Sequence, residues 1–159
     1  MRHATALAWA SLALACAAAQ ARAAETSYTV HYAGNDRFQV EAAFAQPTTR
    51  LDLNNHESKA RPRGQAESVR DLQAFDAQGK PVAIEFVGNG GWEMKQGAAT
   101  RIRYTLVADH DAADWAAGKD EVATKFDHSF FFASDAFFLM DYDWPKQSID
   151  VRFDLPKDW

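Results

Sequence analysis

Apolar and polar residues alternate with a period of two over much of this chain, and this pattern constrains the fold more than any other feature. The alternation is clearest at 101–106 and 149–155, where every second residue is aliphatic or aromatic. Successive side chains of a strand point to opposite faces, so each stretch predicts a strand with one buried and one solvated face, as in antiparallel sheets. Further stretches of this kind lie at 27–32, 37–44, 51–53 and 82–86.

Turn signals separate the predicted strands. The sequence Asp-Ala-Gln-Gly at 76–79 lies between two apolar runs and predicts a hairpin whose glycine takes a positive φ. Gly-Asn-Gly-Gly at 88–91 predicts a second turn. We expect 46–66 to be a loop and 111–118 to be a short helix. Many short strands joined by turns predict an all-β fold, specifically an antiparallel β-sandwich.

The start of the chain has the features of a secretory signal peptide. A short positive beginning precedes residues 4–19, which are uncharged and almost wholly apolar, and Ala21-Arg22-Ala23 follows as a small-x-small cleavage pattern. This apolar run of about 16 residues is short against the roughly 20 that a membrane-spanning helix needs. The pattern therefore favours cleavage after Ala23 or Ala24 over a retained membrane anchor.

This interpretation divides the chain into a signal peptide at 1–24 and a single β-sandwich domain at 25–159. It predicts a bacterial periplasmic or secreted location. The sole cysteine, Cys16, lies in the signal peptide, so the mature domain would rely on core packing without a disulfide. Alternatively, Cys16 is the lipid-attachment residue of a lipoprotein. Leu14 argues against this alternative because a small residue is preferred at its position.

Charge limits the kinds of partner that the domain can bind. The formal net charge is -5, and residues 1–24 contribute two arginines and no acidic residue, so the remaining domain is more acidic still. Acidic surfaces repel phosphate backbones and anionic lipids. We therefore predict no nucleic-acid partner, and no membrane attachment unless Cys16 is lipidated. The basic stretch at 59–63 is expected to be a solvated loop.

The sequence carries no recognisable catalytic or metal-binding motif. His56-Glu57 begins a pattern close to the zinc-binding His-Glu-x-x-His, but Ala60 replaces the second histidine that would share the metal. We expect Asp109-His110-Asp111 to be a solvated loop end, and Asp141-Tyr142-Asp143 lacks the spaced oxygen ligands of a calcium loop. Since serine-nucleophile and phosphate-binding motifs are also missing, we predict no catalytic residue, no metal site and no cofactor.

Aromatic residues are concentrated between Phe126 and Trp144. Three of them are consecutive, at 130–132, so a strand would turn at least one away from the others. One interpretation is a pair of adjacent core strands. The other is a contact surface for a partner or ligand, formed by the outward rings. The residues of this candidate binding surface are Phe130, Phe131, Phe132, Phe137 and Phe138.

Several segments of the chain follow one another in a characteristic order and spacing: Tyr28–Tyr32, Arg37–Phe44, Val69–Val82, Trp92 with Thr100–Leu106, Asp127–Leu139 and Ile149–Trp159. In this order and spacing they resemble the N-terminal β-domain of the glycyl aminopeptidase group, metallopeptidase family sixty-one. This resemblance implies a β-sandwich like the N-terminal domain of gluzincin aminopeptidases.

Two departures from the family pattern bear on function. The family's zinc-binding catalytic domain follows this region, whereas the sequence here stops at Trp159, so the resemblance implies no catalytic residue in this chain. The family domain also usually carries Trp-x-Pro-Gly-Ser-Tyr after its third strand, where this chain has an unrelated sequence at 54–63. If that stretch shapes the peptidase cleft, its loss suggests that this domain no longer serves one.

Two hypotheses of function follow. In the first, the chain is an exported, non-catalytic module that binds a peptide, a protein or a sister peptidase through sheet edges and the candidate binding surface. In the second, it is the N-terminal portion of a zinc-dependent aminopeptidase whose catalytic domain is missing from this chain. Its role would then be to pack against that catalytic domain.

Overall fold

The structure is a computed structural model, and it describes residues 25–57, 61–108, 123–126, 129–142 and 148–157. The predicted helix at 111–118 lies outside these residues. In the described part, helical structure is limited to a 3-10 helix at Gly64–Ser68 and one α-helical turn, α1, at Ser134–Phe137. The strands are β1 (Thr26–Gly34), β2 (Arg37–Thr48), β3 (Arg50–Asp52), β4 (Val69–Phe75), β5 (Pro81–Val82), β6 (Ile84–Gly88), β7 (Gly91–Met94), β8 (Ala99–Val107), β9 (Thr124–Phe126), β10 (Ser129–Phe131), β11 (Met140–Asp141) and β12 (Ile149–Asp154).

The larger sheet has six strands in the order β12-β1-β2-β8-β4-β5. Its pairs are antiparallel except at one edge, where β12 runs parallel to β1 with Tyr28 opposite Val151 and Val30 opposite Phe153. This parallel edge differs from the purely antiparallel prediction. Parallel neighbours need a long crossover connection, and here the chain between β1 and β12 builds most of the domain.

A second sheet, of order β11-β3-β7-β6, supplies the other side of the core, and β9 and β10 form a separate pair. Buried side chains from both sheets belong to one cluster. Val40 and Ile102 come from the larger sheet, and Leu51 and Trp92 from the smaller one. Two sheets that share one apolar core confirm the predicted all-β, sandwich-like fold.

Both predicted hairpin turns are confirmed. Asp76 Oδ1 accepts hydrogen bonds from the N–H groups of Gln78 (2.9 Å) and Lys80 (2.8 Å), and Gly79 has φ +78°. In the second turn, Asn89 and Gly90 both have positive φ (49° and 72°) between β6 and β7. Two successive residues with positive φ match the twist of hairpin strands, which explains the Asn-Gly sequence there.

The loop prediction for 46–66 is wrong at both ends, whereas residues 53–57 and 61–63 lie outside any helix or strand. Strand β2 continues to Thr48, β3 follows, and the 3-10 helix begins at Gly64. Side-chain amides hold the loop before this helix: Gln65 Oε1, which is buried, accepts the N–H of His56 (2.6 Å), and Asn55 Oδ1 accepts that of Ala66 (3.1 Å). Hydrogen bonds from side chains to the backbone produce no periodic pattern in the sequence, so the alternation of apolar and polar residues could not predict them.

Candidate functional site

The structure separates the five residues of the candidate binding surface by burial. Phe137 and Phe138 are buried in the core (0% and 7% exposed), and Phe130 and Phe132 pack partly against it. Phe131 is 45% exposed. The surface interpretation is therefore corrected for Phe137 and Phe138, because rings enclosed by the core cannot touch a partner.

Local structure explains this division. Phe130 and Phe131 lie on strand β10 and face opposite sides, whereas Phe137 lies on the helical turn α1 rather than on a predicted core strand. The ring of Phe38 from β2 packs against Phe130 at 5.0 Å and against Phe137 at 5.5 Å between centroids. Phe131 turns away from this cluster, as the three consecutive phenylalanines require.

Two tyrosines at positions of predicted strands anchor this aromatic segment. The Tyr104 hydroxyl donates to the Phe137 carbonyl (2.9 Å) and accepts the N–H of Leu139 (3.2 Å), and the Tyr28 hydroxyl donates to the Leu139 carbonyl (2.9 Å). Burial raises the pKa of both phenols, and the nearby Asp141 raises the pKa of Tyr28 further. They therefore remain protonated donors. The sequence carries one signal for this anchoring role. Both tyrosines lie at apolar positions of the alternating pattern, and a buried hydroxyl needs a hydrogen-bond partner.

Strand β12 and the residue that follows it hold an apolar row in solvent, which we call the β12 row: Val151, Phe153 and Leu155. These side chains are 36%, 44% and 39% exposed. The predicted burial of this face is wrong. Alternation shows that a strand has an apolar face but cannot show whether anything covers it. At the edge of the sheet β12 has β1 on one side only, and the Phe153 ring lies 6.2 Å from that of Phe132.

A charged cluster lies at the end of the smaller sheet. Arg50 of β3 pairs with Asp52 (3.1 Å) and with Glu93 of β7 (3.3 Å), and its guanidinium lies 4.6 Å from the Tyr142 ring centroid. The hydrogen bond with Asp52 raises the pKa of Arg50. Because these charges pair with one another and are partly exposed, the cluster contributes little to the stability of the contact between β3 and β7.

Among the described residues, no three His, Cys, Asp or Glu side chains come together in a group that could hold a metal. The Glu57 carboxylate accepts the N–H of Asn89 at 2.5 Å, so it is a loop anchor. The predicted solvated cluster at 109–111 lies outside the described residues. No described helix is long and apolar enough to cross a membrane.

The two sheets and their shared core define an all-β domain, and this fold is similar to part of a solved protein. The crystal structure of an aminopeptidase N family protein from Idiomarina loihiensis superposes with a TM-score of 0.61 at 13% identity. The match covers 84% of this chain and 22% of that protein, so this chain spans about a fifth of its structural neighbour. At this low identity the likeness shows the fold alone.

The family follows from the sequence profile of the Peptidase M61 N-terminal domain, which matches residues 27–159. The chain belongs to this family, which confirms the resemblance drawn from its segments. A comparison with curated proteins found no match.

Proposed function

We infer that this chain is an exported, non-catalytic protein-binding domain that uses the edge strand β12 as its contact surface. This proposal rests on one observation, the exposure of the β12 row at an edge of the larger sheet. An edge strand offers unpaired backbone N–H and C=O groups to an incoming extended segment. Apolar side chains beside that edge add affinity as they leave water.

The partner would add a strand beside β12 and cover the β12 row. Backbone hydrogen bonds to the edge would supply orientation, and alternate side chains of the partner would contact Val151 and Phe153. Phe131 is a separate exposed ring that a partner larger than one strand could reach. Export rests on the signal-peptide features at 1–24.

A second function is favoured by the same exposed row and by the match to about a fifth of an aminopeptidase N family protein. The domain would then be the front of a zinc-dependent aminopeptidase, and the β12 row would pack against the catalytic domain. Both functions use this surface as a protein contact. They differ in whether the partner belongs to the same polypeptide.

Site-specific photocrosslinking tests the contact surface in the host cell. We expect Phe153→p-benzoylphenylalanine to capture a discrete protein partner under light. Val87→p-benzoylphenylalanine is the matched control, because Val87 is equally exposed (47%) but lies on β6 of the other sheet. The captured partner, once identified and purified, should bind the Phe153→Ser variant at least about tenfold more weakly than the parent chain. Equal capture at both positions, or unchanged binding by Phe153→Ser, would contradict the proposal.

A further inference from the structure

The polar face of β12 carries charges in an alternating order that suits a second copy of the same strand. Asp150, Arg152 and Asp154 occupy every second position and are exposed. Asp154 is already paired with His31 of β1, at 3.3 Å from its Nδ1. Within the described residues, Asp150 and Arg152 form no ion pair, so one acid and one base remain available on each copy.

Antiparallel pairing of two β12 strands has a register that joins the unpaired charges on one face and the apolar side chains on the other. When Val151 lies opposite Val151 of the second copy, each Asp150 lies opposite an Arg152, and each Ile149 lies opposite a Phe153. Directly opposite residues of an antiparallel pair share a face and have Cβ atoms about 5 Å apart. The two-fold axis therefore creates two ion pairs on one face and a continuous apolar strip on the other.

Neighbouring registers are less favourable. Centring the pair on Arg152 would place Asp150 opposite Asp154 and the two arginines opposite each other, which brings like charges together. Centring it on Phe153 would oppose Arg152 with Asp154, whose carboxylate His31 already engages. A slip by a single residue along one strand would put apolar side chains opposite charged ones. The register centred on Val151 is thus favoured, because it pairs Asp150 with Arg152 and leaves the contact of Asp154 with His31 in place.

We propose that β12 is a homodimerisation strand, and that a second copy of this chain pairs with it antiparallel about Val151. This proposal rests on the proposed function, because both assign binding to the edge of β12. It goes further in identifying the binding partner as a second copy of this chain. The six-stranded sheets of two copies would join into one continuous sheet. Among the described strands, none occupies that side of β12.

Charge reversal provides a sharp test by analytical ultracentrifugation of protein isolated from its host. We expect the parent chain to show a monomer–dimer equilibrium. Asp150→Arg would oppose arginines and Arg152→Asp would oppose acids, and each change acts twice across the axis, so each variant alone should dimerise at least about tenfold more weakly. An equimolar mixture of the two variants restores both opposite-charge pairs. That mixture should recover dimer to within about threefold of the parent affinity.

Arg101→Asp is the matched control, since Arg101 is exposed on the interior strand β8 and makes the same charge change away from the edge. It should leave the dimer unchanged, and thermal unfolding should show that all variants are folded. A monomeric parent chain at high concentration, or a mixture that fails to recover dimer, overturns the proposal. Photocrosslinking of Phe153 to a different protein would then leave the proposed function standing. If the photocrosslinker at Phe153 also captures no protein, the result contradicts both the homodimer and the proposed function.

Discussion

At the scale of single residues, burial decides which aromatic side chains stabilise the fold and which are available for contact. Phe138 packs its ring 4.8 Å from that of Tyr28 and is almost fully enclosed. Phe131, seven positions earlier, leaves nearly half of its side chain in water. Both residues look alike in the sequence, where each is one phenylalanine in an aromatic run.

A pair of serine substitutions separates these roles. Phe138→Ser should lower the free energy of unfolding by about 3 to 5 kcal/mol, because it removes a ring from the core and leaves a cavity with a hydroxyl in it. Phe131→Ser should change it by less than about 1 kcal/mol. Chemical denaturation followed by tryptophan fluorescence measures both. If Phe131→Ser unfolds the protein as well, its ring is not a free contact surface.

At the scale of elements, the β6–β7 hairpin and the loop before the 3-10 helix stabilise each other. The N–H of Leu53 donates to the carbonyl of Gly90 (2.9 Å), and the N–H of Asn89 donates to Glu57. A Cβ on Gly90 would meet the Leu53 carbonyl oxygen and the Asn55 side chain at less than contact distance. This turn therefore needs glycine for space as well as for its positive φ.

Gly90→Ala should be more damaging than Gly34→Ala. Both glycines have positive φ (72° and 79°), which costs an alanine about 1 to 2 kcal/mol. A Cβ on Gly34 meets nothing within 4 Å, so its substitution carries the backbone cost alone. Denaturant midpoints of the two variants give the comparison. Equal losses of stability would mean that the hairpin and loop move apart freely.

At the scale of the whole molecule, the first and last strands of the described chain lie side by side. β1 and β12 pair along six register positions, from Thr26 with Ile149 to His31 with Asp154. The beginning of the domain is therefore held in the sheet, while residues 1–24 precede it.

The mass of the native protein in the envelope fraction of its host tests this view of the chain. Cleavage after Ala23 or Ala24 predicts an intact mass equal to that of a chain starting at Ala24 or Glu25 and ending at Trp159. A mass that includes a diacylglycerol on Cys16 would show a lipoprotein instead. A much larger mass would identify the domain as the front of a longer peptidase and contradict a stand-alone module.

The sequence by itself determined that this chain is all-β. The alternation of apolar and polar residues located most of the strands, and the glycine-containing turn sequences located two hairpins. Those properties depend on side-chain direction and backbone φ, which neighbouring residues control. The parallel edge at β12 was decided only by tertiary structure, because strand direction depends on a crossover through the whole domain. The same holds for the exposure of the β12 row. The alternating stretches 101–106, in β8, and 149–155, which begins with β12, share one sequence pattern, yet β8 lies inside the sheet and β12 at its edge. Which face is covered depends on the neighbouring layers, and no local pattern records them.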